Sequence, residues 1–169
     1  MLIEGGCYCG QVRYRAEGEP TLRVQCHCRE CQYITGGMPL VAMGMPAQGF
    51  SYTKGEPHEF RRADLETPVM RAFCPNCGTH VVSQPQRMAG VAVLLKVGTM
   101  DDPSQFGGPQ LAIYTCDKQE FHQLPPGIPT FERTPPRPPP AARSQPCWPN
   151  DSGGPRRRGR RRRIRRFPG

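Results

Sequence analysis

Cys26-His27-Cys28-Arg29-Glu30-Cys31 puts three thiols within six residues, and the pairs Cys7-Tyr8-Cys9 and Cys74-Pro75-Asn76-Cys77 bring the clustered cysteines to seven. A disulfide needs Cα atoms about 4.4–6.8 Å apart with suitably aimed Cβ vectors, which residues two or three apart reach only in special turns. Zinc takes thiolates from short turns and asks only for tetrahedral placement at about 2.3 Å. The seven cysteines therefore read as metal ligands.

The residues around them have the patterning of short strands. Gly10–Glu17 alternates Val12, Tyr14 and Ala16 with polar partners, and Leu22-Arg23-Val24-Gln25 repeats the alternation into Cys26. Leu40–Met43, Phe50–Thr53, His58–Arg61, Val69–Phe73, Val81-Val82, Val91–Val97 and Leu111–Tyr114 are further short segments, several rich in β-branched residues. Eight to ten short strands are expected and no amphipathic helix. The three thiols are expected in a tight turn closed by Gly36-Gly37. The fold class is mainly β, held by metal as much as by a core.

Cys-x-Cys and Cys-x-x-Cys pairs far apart in sequence make a closed four-thiolate site of the structural kind, which assigns Cys7, Cys9, Cys74 and Cys77 to one zinc. Gly78 follows the second pair and frees the backbone to fold its amides toward the sulfurs. Cys26, Cys28 and Cys31 remain as three ligands of a second zinc, whose fourth position would be open, the mark of a catalytic metal. Three thiolates on a dication leave a net −1, which suits that position to a thiol rather than to making hydroxide. The alternative is a second structural zinc closed by His27, His58, His80 or His122; His27, lying between two ligands, is poorly placed to turn onto the same metal.

Three motifs in this order resemble the glutathione-dependent formaldehyde-activating enzyme (GFA) family, which also includes centromere protein V. They are Gly6-Cys7-Tyr8-Cys9-Gly10 with Val12-Arg13-Tyr14; Cys26–Cys31 with Thr35-Gly36; and Phe73-Cys74-Pro75-Asn76-Cys77-Gly78-Thr79. The resemblance covers about residues 1–134. It implies a β-tent fold, a structural zinc on Cys7, Cys9, Cys74 and Cys77, and a catalytic zinc on Cys26, Cys28 and Cys31. It further implies carbon–sulfur lyase chemistry on a glutathione–formaldehyde adduct or a related thiol adduct, with glutathione as co-substrate. A non-enzymatic zinc module that binds a thiol or a macromolecular partner is the alternative. In the segment Asp117–Pro125, Phe121-His122 occupies ground where the family pattern leads one to expect Trp.

The net charge of +9 is unevenly spread. Residues 1–134 carry 12 Lys and Arg against 13 Asp and Glu, a balance of −1, while residues 135–169 carry 11 Arg against Asp151 alone, a balance of +10. Seven thiolates and two dications would take the first part to −4, so a basic binding face belongs to the tail and not to the domain. The tail, with 9 Pro among its 35 residues, cannot bury enough apolar surface to offset its ordering entropy and reads as a disordered extension. It could contact nucleic acid through phosphates, act as a localisation signal, or be a solvated extension of no selected function.

No apolar run is long enough to cross a membrane, and Met1–Gly6 lacks the basic and apolar regions of a secretory signal. Clustered thiols then belong in a reducing compartment, which points to the cytoplasm. Outside the clusters, His80 is expected to make an ordinary hydrogen bond on entering a strand, and Cys116 to be a small buried residue. Asp101-Asp102 reads as a turn, and Cys147 and Trp148 as passive residues of the tail.

Overall fold

The computed structural model describes residues 1–136, and the remainder of the tail, with Cys147 and Trp148, lies outside the described residues. The described chain is mainly β. Its elements are β1 (Leu2–Gly6), β2 (Arg13–Glu17), β3 (Leu22–Cys26), α1 (Arg29–Thr35), β4 (Leu40–Pro46), β5 (Phe50–Lys54), β6 (His58–Phe60), β7 (Val69–Phe73), β8 (His80–Pro85), β9 (Ala92–Lys96) and β10 (Leu111–Ile113). Strands β1, β2 and β5 form a three-stranded antiparallel sheet. The other seven form a sheet in the order β10-β3-β4-β9-β8-β7-β6, antiparallel except for the β10–β3 pair.

Because side chains alternate across a strand, the register sorts the larger sheet into two faces. Val24, Ala42 and Lys96 lie abreast on β3, β4 and β9, as do Arg71 and Ser83 on β7 and β8 and Ser83 and Leu94 on β8 and β9. The opposite face carries Met43, Met45, Val82, Val93, Leu95, Met70 and Ala72. These pack with Ile3, Tyr14 and Ala16 of the smaller sheet into one buried cluster. That cluster is the core; the first face is left for the site.

Three local features differ from the sequence expectation. β1 is a strand that its composition hides, since two of its five residues are glycines. Gly5 is required there: a Cβ would sit 2.3 Å from the Thr99 carbonyl oxygen and 2.4 Å from the Tyr14 hydroxyl. β4 runs on through Gly44, where Thr21 and Leu22 approach too closely for a side chain. The third difference is α1, a seven-residue helix where a tight turn is expected. Cys28 caps it by accepting the Cys31 amide at 3.4 Å, and Gly36, at φ 71°, ends it in the left-handed conformation that glycine adopts without strain.

Candidate metal centre and adjoining cavity

Cys7 and Cys9 lie in the turn between β1 and β2, and Cys74 and Cys77 in the turn between β7 and β8. Backbone bonds shape both turns, Gly10 N–H to Cys7 O at 3.0 Å in one and Gly78 N–H to Cys74 O at 2.9 Å in the other. Gly78 takes φ 71°, the freedom expected of it. The four sulfurs come within 4.8 Å of one another, Cys7 to Cys9 at 3.5 Å and Cys9 to Cys74 at 3.7 Å. A tetrahedron with bonds of about 2.3 Å has edges of about 3.8 Å, so the group fits a thiophilic ion. The Val12 amide donates to the Cys7 sulfur at 3.2 Å. The Thr79 hydroxyl lies 3.1 Å from the Cys77 sulfur and, with its amide, pulls that thiol down to about 5. This group joins the entrance of the small sheet to a turn of the large one.

Cys26 ends β3, Cys28 caps α1 and Cys31 lies in the helix's first turn, and their sulfurs also fall within 4.8 Å of one another. Thiols this close share protons: hydrogen bonds from Cys26 and then Cys31 hold Cys28 down at about 3, while Cys26 is pushed far up. A soft dication suits this donor set as well. Among the described residues no histidine joins the three sulfurs. The His27 ring turns away to His122, Nδ1 to Nδ1 at 3.0 Å, and His122 Nε2 donates to the Gly37 carbonyl at 2.7 Å. His58 and His80 both pack against Phe73, at 5.2 and 5.3 Å between ring centres.

The loop of three cysteines is lashed to the segment after β10. Gln32 Nε2 donates to the carbonyls of His27 at 2.6 Å and Asp117 at 2.9 Å, and the His27 amide donates to Ile113 O at 2.9 Å. Arg71 reaches from β7 to α1, its Nη2 donating to Glu30 Oε2 at 2.6 Å. Between α1 and the free face of the large sheet is a cavity of about 860 Å³. Its walls include Cys26, Cys28, Cys31, Arg71, Ser83 and Tyr114. Beside it Lys96 is buried, only 5% exposed, with Nζ donating to Ser83 Oγ at 2.6 Å. Desolvation pushes the ammonium down to about 8.

The glutathione-dependent formaldehyde-activating enzyme family model matches residues 2–117. The chain belongs to the GFA family. The GFA match spans both cysteine groups, α1, Ser83 and Lys96. A crystal structure of a Rhodobacter sphaeroides protein is similar at 18% identity and a TM-score of 0.49, covering 63% of this chain and 96% of that one.

Two expectations about individual residues need correction in this GFA chain. His80 opens β8, but its buried Nδ1 has no hydrogen-bond partner among the described residues, and the ring packs at a tilt of 41° against Phe73. Cys116 is exposed, since β10 ends at Ile113 and the chain leaves the sheet before reaching it. Asp101 and Asp102 do form a turn: Asp101 pairs with Arg13, and Asp102 accepts the Ser104 amide at 3.0 Å. Sequence reading passes over Lys96, Ser83, Arg71 and Gln32. For Lys96 a signal existed, a lone cation inside the apolar run Ala92–Val97. Among the described residues no helix is long and apolar enough to cross a membrane.

Proposed function

We propose that this GFA-family chain is a zinc-dependent carbon–sulfur lyase acting on a glutathione–formaldehyde adduct or a related thiol adduct. The observation that carries the reading is a three-sulfur group, with no fourth protein ligand among the described residues, forming the wall of a cavity of about 860 Å³. Cys26, Cys28 and Cys31 would hold the catalytic zinc, and Cys7, Cys9, Cys74 and Cys77 a structural one, two ions per chain. Zinc on three thiolates supplies a soft Lewis-acidic position that favours a sulfur ligand over hydroxide.

The chain's own residues prepare the space around that position. Val24, Leu40 and Leu94 give the cavity an apolar part of its lining. Arg71 and Glu30 fix the helix that carries Cys31, and Gln32 fixes the loop that carries Cys26 and Cys28. In the adding direction the reaction joins the thiol sulfur to the carbonyl carbon, and the thiol proton ends on the carbonyl oxygen. Nothing is oxidised or reduced. Glutathione and free thiolates coexist in the cytoplasm, where this reading places the protein.

Zinc stoichiometry with and without excess glutathione, together with turnover of wild type and Cys28→Ser, tests the proposal. Two zincs, one perturbed by glutathione, and turnover lost in a folded variant are expected. Two zincs indifferent to glutathione with no turnover would reduce the protein to a binding module.

A further inference from the structure

Lys96 is the one charged residue of an apolar strand, near the three-cysteine group. A buried cation is costly unless it is paired, and the strand Ala92–Lys96 is otherwise apolar. Among the described residues Lys96 forms no ion pair with a carboxylate; the nearby Arg71 has already taken Glu30. Among the described residues the sole hydrogen-bond partner of its ammonium is the Ser83 hydroxyl, at 2.6 Å.

The direction of that bond follows from the donors available. An ammonium can only donate, so Ser83 Oγ accepts from Lys96, and the serine's own O–H is left for another acceptor. Ser83 lines the cavity that the three cysteines line, and it lies abreast of Arg71 in the sheet. The cavity wall thus presents one hydroxyl donor polarised by a buried positive charge. Such a donor, fixed in place and shielded from water, suits an oxygen that carries or develops negative charge.

We infer that Ser83, backed by Lys96, forms an anionic-oxygen subsite of this cavity, receiving one oxygen of the ligand whose sulfur is held at the three-cysteine group. This rests on the reading above that the cavity takes a thiol adduct. The oxygen has two possible sources, the one-carbon unit or a carboxylate of the thiol. Ser83 touches the ligand oxygen directly, and Lys96 acts through it as a positioning residue.

The test titrates the full, metal-loaded chain, as wild type, Ser83→Ala and Lys96→Met, with three probes followed by NMR shifts. The ethanethiol–formaldehyde adduct has the one-carbon oxygen and no carboxylate. S-Methylglutathione has carboxylates and no one-carbon oxygen, and acetate has an anionic oxygen and no sulfur. Both variants should keep their metal content; affinity should fall about three- to tenfold for the neutral hydroxyl of the ethanethiol adduct and about ten- to a hundredfold for a carboxylate, the ranges for hydrogen bonds to neutral and to charged groups. Loss confined to the ethanethiol adduct supports the subsite and assigns it to the one-carbon oxygen. Loss confined to S-methylglutathione and acetate supports it and assigns it to a carboxylate. Wild-type binding that both variants retain overturns it. If neither sulfur probe binds wild type, the lyase reading falls and acetate alone decides: binding weakened in both variants keeps the subsite, and any other acetate result removes it.

Discussion

Replacing Lys96 by Met should stabilise the protein at neutral pH, although it deletes a hydrogen bond. Desolvation lowers the ammonium from 10.5 to about 8, and with the residue only 5% exposed solvent screens little of that effect. At about 1.4 kcal/mol per pKa unit the buried charge costs about 3 kcal/mol. The lost bond to Ser83 returns about 1 kcal/mol of that, which leaves a net gain of about 2 kcal/mol for a methionine of similar shape. The folded pKa lies below the unfolded one, so between about 8 and 10.5 the unfolded chain binds the extra proton. Wild-type stability therefore rises with pH across that window. Below it the penalty is present in full, and above it the penalty is gone. Denaturant unfolding of both metal-loaded proteins at pH 7 and pH 10 measures the gap, and comparing the two cancels the thiols and Tyr14 they share. A Met variant less stable than wild type at pH 7, or a gap no smaller at pH 10 than at pH 7, would overturn this account. The thiolates would then be compensating the charge within the fold.

Four other substitutions test separate parts of the structure. Gly5→Ala drives a methyl into the Thr99 carbonyl and the Tyr14 hydroxyl, and should lower stability by about 3 kcal/mol in a thermal melt. Glu30→Gln leaves the nearly buried Arg71 without its counter-charge. Because Glu30 is itself 36% exposed, we expect a loss of about 1–2 kcal/mol, accompanied by faster amide exchange in α1. Cys74→Ser should abolish cooperative unfolding, because it removes a fully buried sulfur that ties the two sheets together, whereas Cys28→Ser should lose one metal ion and keep the melt.

What the seven cysteines reveal in sequence, they reveal because ligand spacing is a covalent property. Pairs two or three residues apart must present their sulfurs from the same turn, so the grouping into four and three is readable without a structure. The mainly β class is readable for a similar reason, as a period of two is written directly into segments such as Arg13–Glu17 and Leu22–Cys26. The helix Arg29–Thr35 is not. Two turns are too short to be stable alone, and this helix persists through the Arg71–Glu30 pair and the Gln32 bonds, made to residues far along the chain. β1 escapes for the opposite reason: its glycines argue against a strand until the close approach of Tyr14 and Thr99 shows why no side chain fits.

The two cysteine groups with ligand spacing, the strand-rich class and the acidic balance of residues 1–134 are thus legible along the chain, since each depends on composition or on residues near one another in sequence. Only the tertiary structure decided which face of the large sheet is core and which is cavity. It also turned His27 to His122, away from the three sulfurs, and set Lys96 behind Ser83. These pairings join residues 95 and 13 positions apart, and strand register, which no local pattern encodes, brings Lys96 and Ser83 to the same face.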